Sequence, residues 1–457
     1  MSDEGDDGDD QAIIGALRRQ DAGTAFALAR QGLAVRPNDL FRLRIVARLG
    51  PKLAEHAVAA DAARRAVRHV GAGAQDRLTH VARALDVSAH EEAEAAAAAL
   101  WAEGERSDAL TDLYLRLLTM RGALDEAAAL LRVRAADAPL APRLAAQLVG
   151  LPQATERDIV NAAAVCERHP SEPLHLALAR AFDRRGEPEA ALRHLRQTAP
   201  LRASWDERAE RARIAWMRQQ HDRLRPDAAA SSDEARPIYL CGPPRSGGTF
   251  LQTRLCSAYE AASVGERGAL PLEFYRRAGT TLPPALLGDL ARADAAGLRR
   301  QVGTGRSVDK TPVNGLLAGL LALVHPGAVF VRNARPLREV ALSIWLHDFP
   351  PAYAYASTLE GTARYLRLHE ETLDHWERAG TAMHPARHEA VVRDPGALPR
   401  LAETLALAPR ATPRQVTAPT HSAVQVREPP QVTPQRYRAY WPLLEAAERD
   451  ALDGLPD

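Results

Sequence analysis

A short segment near the middle of the chain has the residue types and spacing of a phosphate-binding loop. Ile238 to Leu251 reads IYLCGPPRSGGTFL, an apolar run followed by a Gly/Pro/Ser turn and the start of an amphipathic stretch. Backbone N–H groups of such a turn, together with the following helix N-terminus, bind phosphate oxygens. Gly242, Gly247 and Thr249 fit the nucleoside triphosphatase spacing G-x-x-x-x-G-K-[ST], but Gly248 occupies the lysine position. The segment therefore predicts a phosphate loop without the triphosphatase lysine.

A later strand candidate also departs from the triphosphatase pattern. Those enzymes hold Mg²⁺ with an aspartate on a neighbouring strand, whereas the segment AVFVRNARP contains no acid and carries Arg332 and Arg335 near its end. Arginine at a strand end binds an anion directly and repels a metal ion. We therefore expect a nucleotide phosphate held by protein cations, with no metal. A kinase or nucleotidase is an alternative that Mg²⁺-dependent turnover would support.

The composition excludes several other classes. The 457 residues include 59 Lys plus Arg and 58 Asp plus Glu, a net charge of +1, whereas a general nucleic-acid binder needs a basic surplus. Three cysteines cannot form a disulfide framework, and no spacing matches a zinc site. The longest apolar stretch, Gly315–Val324, is shorter than the roughly 20 residues that span a bilayer. We expect a soluble, cytoplasmic protein. Its two lysines, Lys52 and Lys310, stand out among the many arginines.

Residues 11–223 have the three- and four-residue apolar spacing of continuous helix. Two segments are alike: LYLRLLTMRGALDEAAALLRVRAADAP around Gly122 and LALARAFDRRGEPEAALRHLRQTAP around Gly186. A third copy is predicted near the N-terminus, with Gly23 in its turn. The helix, turn, helix, proline order is typical of tetratricopeptide-like repeats. An irregular helical bundle is the alternative.

Three other regions complete the predicted organisation. The acidic residues 1–10 are expected to be a disordered tail. Residues 224–236, which are polar and flanked by proline, are expected to be a linker. Across residues 237–457, short apolar runs alternate with helical segments, which predicts an α/β domain with a central parallel sheet.

Four motifs in this second half resemble sulfotransferases that use 3′-phosphoadenosine-5′-phosphosulfate. Pro244–Thr249 (PRSGGT) is similar to the family's PRSGTT loop, and Arg335–Ser343 keeps its arginine-to-serine spacing and a VALS ending. Val308–Asn314 (VDKTPVN) and Thr420–Pro429 (THSAVQVREP) resemble segments of the tyrosylprotein branch and its bacterial tetratricopeptide relatives. The motifs follow the family order across roughly residues 237–445. The resemblance implies a P-loop, sulfotransferase-type α/β domain after the helical repeats.

The resemblance also implies which residues bind the donor. The loop would hold the 5′-phosphosulfate, although Gly248 replaces a usual threonine and so lacks one hydroxyl donor. Arg335 and Ser343 would clasp the 3′-phosphate, and Arg436 would add a contact. His388 stands where relatives have tyrosine and could stack on adenine or be structural. The implied donor-binding residues are Pro244, Arg245, Ser246, Gly247, Gly248, Thr249, Arg335, Ser343 and Arg436.

The implied catalytic residues lie partly outside the loop. Glu266, which follows Gly265 in SVGER, corresponds to the glutamate that acts as general base, and Glu273 is the second choice. Lys310 would stabilise the charge on the oxygen that bridges phosphate and sulfate, because a compact ammonium suits one oxygen. Arg245 would lie near the reacting centre, and Ser422 falls at a cofactor-contacting serine.

The expected function is transfer of a sulfuryl group to an acceptor hydroxyl, with release of adenosine 3′,5′-bisphosphate. The acceptor is either a tyrosine of a peptide or protein, or a small molecule or glycan; Tyr353 and Tyr355 are candidates for its cleft. An inactive sulfotransferase-like binding module, whose repeats recruit a protein partner, is the alternative. The repeats could also form a homodimer. No nucleic acid, metal or membrane span is expected.

Overall fold

The computed structural model describes residues 4–225, 236–303, 305–414 and 438–456. The chain forms two compact units, Met1–Ala181 and Phe182–Asp457. The helix Glu207–Leu224, which precedes the sequence-predicted linker 224–236, belongs to the second unit.

The first unit is helical, and each helix packs against the next one along the chain. The helices are α1 (Glu4–Arg18), α2 (Ala22–Val35), α3 (Leu40–Leu49), α4 (His56–Val67), α5 (Ala74–Asp86), α6 (His90–Ala102), α7 (Asp108–Arg121), α8 (Leu124–Asp137), α9 (Pro142–Gly150) and α10 (Glu156–Arg168). Helix α11 (Glu172–Arg184) contains the division between the units.

The sequence-predicted turns of the repeats are largely where the glycines indicate. Gly122 ends α7, and Gly186 follows α11 directly before the next helix. Gly23 instead lies in the first turn of α2, because Asp21 caps this helix by accepting a hydrogen bond from the Thr24 N–H at 3.0 Å. An aspartate at this position satisfies an otherwise free helix N–H group, so the helix begins before the glycine.

The acidic N-terminal residues differ from the predicted disordered tail, because α1 begins at Glu4. One of them, Asp10, pairs with Arg42 of α3 at 2.8 Å, and the Arg42 side chain is fully buried. This pairing balances a cation that would otherwise be isolated from water.

The second unit alternates strands and helices after two further helices. Its elements are α12 (Pro188–Arg196), α13 (Glu207–Leu224), β1 (Ile238–Leu240), α14 (Gly248–Ala258), β2 (Ala261–Gly265), α15 (Ala269–Arg276), α16 (Ala285–Val302), β3 (Arg306–Asp309), α17 (Asn314–Val324), β4 (Val329–Ala334), α18 (Leu337–Trp345), α19 (Leu359–Arg378), β5 (Met383–Arg387), α20 (His388–Arg393), α21 (Ala397–Thr404) and α22 (Ala446–Asp453).

The strands form one parallel sheet in the order β2-β3-β1-β4-β5. Strand β1 is central, so the loop that follows it is flanked by the ends of β3 and β4. Ligands of open α/β sheets bind outside the carboxyl ends of the strands, where the chain order reverses. The sheet therefore collects the segments after β1, β2, β3, β4 and β5 at a single edge.

Helix α17 forms much of the core beside this sheet. Its apolar sequence GLLAGLLALV is buried almost throughout, and the helix packs against both α13 and α19. The Trp376 indole N–H of α19 donates to the Leu316 carbonyl at 3.1 Å, so this large buried ring keeps its polar atom paired. The predicted class, helical repeats followed by an α/β unit with a central parallel sheet, is confirmed.

Candidate functional site

The loop after β1 has the backbone shape that a phosphate cradle needs. Arg245 and Gly247 both adopt left-handed conformations, with φ of 70° and 95°, and helix α14 begins at Gly248. Such alternation turns successive N–H groups toward one concave face. The helix N-terminus adds its positive dipole end. The predicted strand, loop and helix are thus all present, with the helix starting at the position where a triphosphatase has lysine.

Asn333, at the end of β4, braces this loop from the neighbouring strand. Its amide N–H donates to the Ser246 hydroxyl, which itself donates to the Pro243 carbonyl at 2.7 Å. A Cβ atom on Gly242 would lie 2.2 Å from the Asn333 Nδ2, so only glycine fits there. The Ser246 hydroxyl is therefore engaged within the loop. The sequence pattern did not single out Asn333, because its position beside the loop depends on strand order.

The two adjacent glycines of the loop differ in their surroundings. A Cβ on Gly247 would lie 2.5 Å from the His388 Nδ1, whereas a Cβ on Gly248 would have no neighbour nearer than 3.8 Å. A Cβ at position 248 would make only ordinary van der Waals contacts, with the Asn333 Nδ2 at 3.8 Å and the Lys310 Cβ at 4.0 Å. Gly248 therefore reflects no steric requirement of the described loop.

His388 begins α20, directly after β5, and covers the loop. Its ring meets the Phe250 ring edge to face at 5.3 Å. Burial and the nearby Arg335 lower the pKa of His388 to about 4, so the imidazole is neutral near pH 7. The structure brings this histidine to the phosphate loop; its stacking on adenine stays a prediction.

Glu266 and Lys310, which are 44 residues apart in sequence, form an ion pair at the same edge of the sheet. Glu266 follows β2 and Lys310 follows β3, and the Lys310 N–H donates to the Gly265 carbonyl at 3.0 Å. The Lys310 side chain is 5% exposed and that of Glu266 is 46% exposed. A buried ammonium thus faces a carboxylate that solvent can reach.

The second-choice glutamate is engaged elsewhere. Glu273 of α15 accepts a hydrogen bond from Arg277 at 2.6 Å within the same turn. Of the two glutamates, Glu266 is the one that contacts Lys310.

The Glu266 carboxylate contributes to the electrostatic environment of Tyr353. Burial, and secondarily the Glu266 carboxylate, raise the pKa of Tyr353. Its ring stacks on Phe349 with centroids 4.8 Å apart. Tyr355 instead is buried and stacks on Tyr365 at 3.7 Å, so Tyr353 is the tyrosine of the predicted pair that borders the Glu266 region.

The arginines near the end of β4 have different partners. Arg332 pairs with Glu370, Asp374 and Glu377 of α19 at 2.6–2.8 Å. Burial alone would lower the pKa of Arg332, but these carboxylates outweigh it and raise the pKa. The expectation that Arg332 binds an anion therefore fails, because three acids of α19 already surround its charge.

Arg335 and Ser343 lie at α18, on the side of the loop where Arg245 also reaches. Arg335 pairs with Glu339 at 3.0 Å, and the Arg245 Nε–H donates to the Ser343 hydroxyl at 3.2 Å. Of the two predicted 3′-phosphate residues, Ser343 thus contacts the loop through Arg245, whereas the Arg335 guanidinium pairs with Glu339. Ser422 and Arg436 lie outside the described residues.

An acid does stand at a strand end beside β1, on β3 rather than on β4. Asp309 ends β3, where it accepts hydrogen bonds from the Thr311 N–H at 2.8 Å, the Thr311 hydroxyl at 2.7 Å and the Asn314 amide. Burial raises the pKa of Asp309, in spite of these hydrogen bonds. The carboxylate therefore shapes the turn that carries Lys310.

Comparison with known proteins gives structural similarities at low identity. No protein-family profile and no curated protein matches the chain. A tetratricopeptide repeat protein from Parabacteroides merdae is 16% identical over 40% of this chain and 73% of its own, with a TM-score of 0.32. PilF of Pseudomonas aeruginosa is 16% identical over 43% of this chain and 92% of its own, with a TM-score of 0.34. The sulfotransferase STF1 of Mycobacterium tuberculosis is 16% identical over 68% of this chain and 91% of its own, at 0.24.

Because these three TM-scores are below 0.5, the fold assignment rests on the helix pairs and strand order of the chain itself. Within the described ranges, every helix is too short or too polar to cross a membrane.

Proposed function

We propose that this chain is a sulfotransferase that moves a sulfuryl group from 3′-phosphoadenosine-5′-phosphosulfate to an acceptor hydroxyl. The observation that carries the proposal is the Glu266–Lys310 pair at the edge of a phosphate loop whose lysine position holds Gly248. The loop suits an anionic donor, and the pair supplies a carboxylate and a localised positive charge beside it. Together they match the needs of a transfer that requires positioning, charge stabilisation and proton removal.

Each group has a definite task in the proposed reaction. The acceptor oxygen forms a bond to sulfur while the bond from sulfur to the bridging oxygen breaks, and the hydroxyl proton passes to Glu266. Lys310 stabilises the negative charge that collects on the bridging oxygen. In the described structure Lys310 holds Glu266; donor binding would draw the ammonium to the bridging oxygen and release the carboxylate to act as base.

The surroundings of the pair favour an aromatic acceptor. Burial, and secondarily the Glu266 carboxylate, raise the pKa of Tyr353, and its ring stacks on Phe349; aromatic groups pack favourably against such rings. A phenol or the tyrosine of a peptide is therefore the acceptor class that we propose, ahead of a glycan hydroxyl.

The test uses the full-length protein without added metal. The protein is incubated with the donor and matched panels of phenols, tyrosine peptides and glycans, and mass spectrometry detects the sulfonated product. Calorimetry measures binding of adenosine 3′,5′-bisphosphate, with adenosine 5′-monophosphate as the matched ligand that lacks the 3′-phosphate. Product with a phenolic acceptor supports the proposal. Failure to bind the bisphosphate, or turnover only with Mg²⁺ and a nucleoside triphosphate, would refute it.

The first unit supports a second role for the chain. Its consecutive helix pairs are an architecture that presents extended surfaces to partners. We propose that this unit binds a protein partner or a second copy of the chain, which light scattering of the full-length protein at several concentrations would test. If the protein bound the bisphosphate without turning over any acceptor, this recruiting role would become the main one.

A further inference from the structure

A buried polar network lies directly beside Glu266. The next residue, Arg267, extends its guanidinium to Asp294 of α16, with Nη1 at 2.9 Å from Oδ2 and Nη2 at 2.8 Å from Oδ1. The Asp294 side chain is 3% exposed. The Nη1–H donates a hydrogen bond and Nη2 adds an ion-pair contact with the second oxygen, so the carboxylate fixes the orientation of the guanidinium as well as its position.

His325, which follows α17, completes the network from the other side. Its Nε2 is 3.1 Å from Oδ2 of Asp294, and its side chain is fully buried. An ionised carboxylate only accepts hydrogen bonds, so this nitrogen carries a proton. Burial alone would raise the pKa of Asp294, but the hydrogen bonds from His325 and Arg267 outweigh it and lower the pKa. Asp294 is therefore charged at neutral pH and holds Arg267 firmly.

The backbone around Glu266 is held to the Lys310 segment on both sides. Before Glu266, the Gly265 carbonyl accepts the Lys310 N–H at 3.0 Å. After it, the Arg267 N–H donates to the Thr311 hydroxyl at 2.8 Å. Because the side chain of Arg267 is fixed to α16 as well, the residue adjoining Glu266 is anchored to two separate elements.

We propose that Arg267, anchored by Asp294 and His325, is a positioning residue that holds the Glu266 carboxylate against Lys310. A buried ion pair contributes little net stability, because the cost of removing both charges from water offsets their attraction. The network of Arg267, Asp294 and His325 lies beside the Glu266–Lys310 pair. Its presence there is thus better explained by the geometry that it imposes on Glu266 than by a gain in stability. The catalytic part of this inference rests on the proposed function; the structural part does not.

The test uses the small number of lysines in the chain. Full-length protein is treated with a limiting amount of an amine-acylating reagent, and peptide mass spectrometry gives the ratio of acylated Lys310 to acylated Lys52, which is an exposed internal reference. Arg267→Gln should raise this ratio at least about fivefold, since loss of a charge-assisted bidentate contact frees the loop. The matched control is Arg292→Gln, which removes an exposed arginine from α16. A ratio for Arg267→Gln equal to that of the control would overturn the proposal.

A double-mutant cycle separates positioning from general loosening. Glu266→Gln alone should also raise the ratio, because Lys310 loses its charged partner. If Arg267 acts through Glu266, adding Arg267→Gln to Glu266→Gln changes neither the ratio nor the residual turnover by more than about twofold. A further large increase in acylation would mean that Arg267 only stabilises the fold. Arg267→Lys, which keeps the charge in the network, replaces the glutamine variant if that variant does not fold, and should give a smaller rise.

The outcomes also distinguish this inference from the proposed function. Acylation is measured on the resting protein, so it reports on the Arg267 anchor even if no acceptor is sulfonated. Conversely, if the wild-type protein transfers a sulfuryl group while Arg267→Gln turns over like Arg292→Gln, the positioning role is refuted and the proposed function stands.

Discussion

Adding one methyl group to each of two adjacent glycines, Gly247 and Gly248, should have opposite effects. At Gly247 the backbone φ is 95°, and a Cβ would lie 2.5 Å from the His388 Nδ1. The left-handed conformation costs alanine about 1–2 kcal/mol, and the forced contact adds about 1–3 kcal/mol. We therefore expect Gly247→Ala to lower the free energy of unfolding by about 2–5 kcal/mol, summing these two contributions.

Gly248→Ala should be neutral or stabilising. This residue begins α14, and a Cβ there has no neighbour within 3.8 Å. Replacing glycine by alanine in a helix contributes up to about 1 kcal/mol. The two variants add the same methyl group at consecutive positions, so each serves as the control for the other.

Thermal unfolding and bisphosphate calorimetry check both variants. For a unit of this size, 1 kcal/mol changes the midpoint by about 2–4 °C, so Gly247→Ala should unfold at least about 4 °C below Gly248→Ala. Gly247→Ala should also weaken binding of adenosine 3′,5′-bisphosphate, because the N–H groups of the loop would move. Equal midpoints and equal affinities for the two variants would show that the loop does not have the described conformation.

Four further changes test the site. Glu266→Gln should reduce turnover by at least about 10²-fold, the scale of a lost general base, while bisphosphate affinity stays unchanged. Near-normal turnover would eliminate Glu266 from that role. Lys310→Arg should also reduce turnover, and full activity of this variant would exclude a point-charge role for the lysine. His388 has a folded pKa of about 4, below its unfolded value of about 6.5, so the unfolded chain binds more protons between these values and stability should fall as the pH drops from 6.5 to 4. Urea unfolding of His388→Gln should show a smaller loss over that window; an identical pH dependence would contradict the burial of a neutral imidazole. Gly248→Thr should tighten bisphosphate binding about fivefold through one added hydroxyl donor, and affinity no better than that of Gly248→Ala would mean that the open space does not face the phosphate.

The parts of the site that depend only on residues adjacent in the sequence were predictable from the sequence. An apolar run, a glycine-rich turn and an amphipathic segment specify a strand, a loop and a helix, because backbone conformation and side-chain periodicity are local properties. The departure of the loop from the triphosphatase spacing is also local, because Gly248 itself occupies the lysine position. The glycines at 122 and 186 likewise marked turns between helices.

Predictions that depended on partners across the sheet were less complete. Arg332 and Arg335 are three positions apart, yet Arg332 pairs with three acids of α19, whereas Arg335 pairs with Glu339 of α18. Asp309 was not predicted from the sequence, because its position beside the loop depends on β3 lying next to β1. Asn333 carries no motif, and its contact with Ser246 exists only because β4 lies next to β1.

The sequence by itself therefore determined the glycine-rich loop between β1 and α14, the helical first half and the alternation of strands and helices, all of which follow from short-range patterns. Only the tertiary structure decided that Glu266 meets Lys310, that Arg267 is anchored to Asp294, and which arginines stay close to the loop. These contacts join residues that are distant in the sequence: Glu266 and Lys310 are 44 residues apart, and Arg245 and Ser343 are 98 residues apart. They form because the parallel order β2-β3-β1-β4-β5 brings the carboxyl ends of distant strands to one edge. Buried charges at this edge are stable only when they are paired.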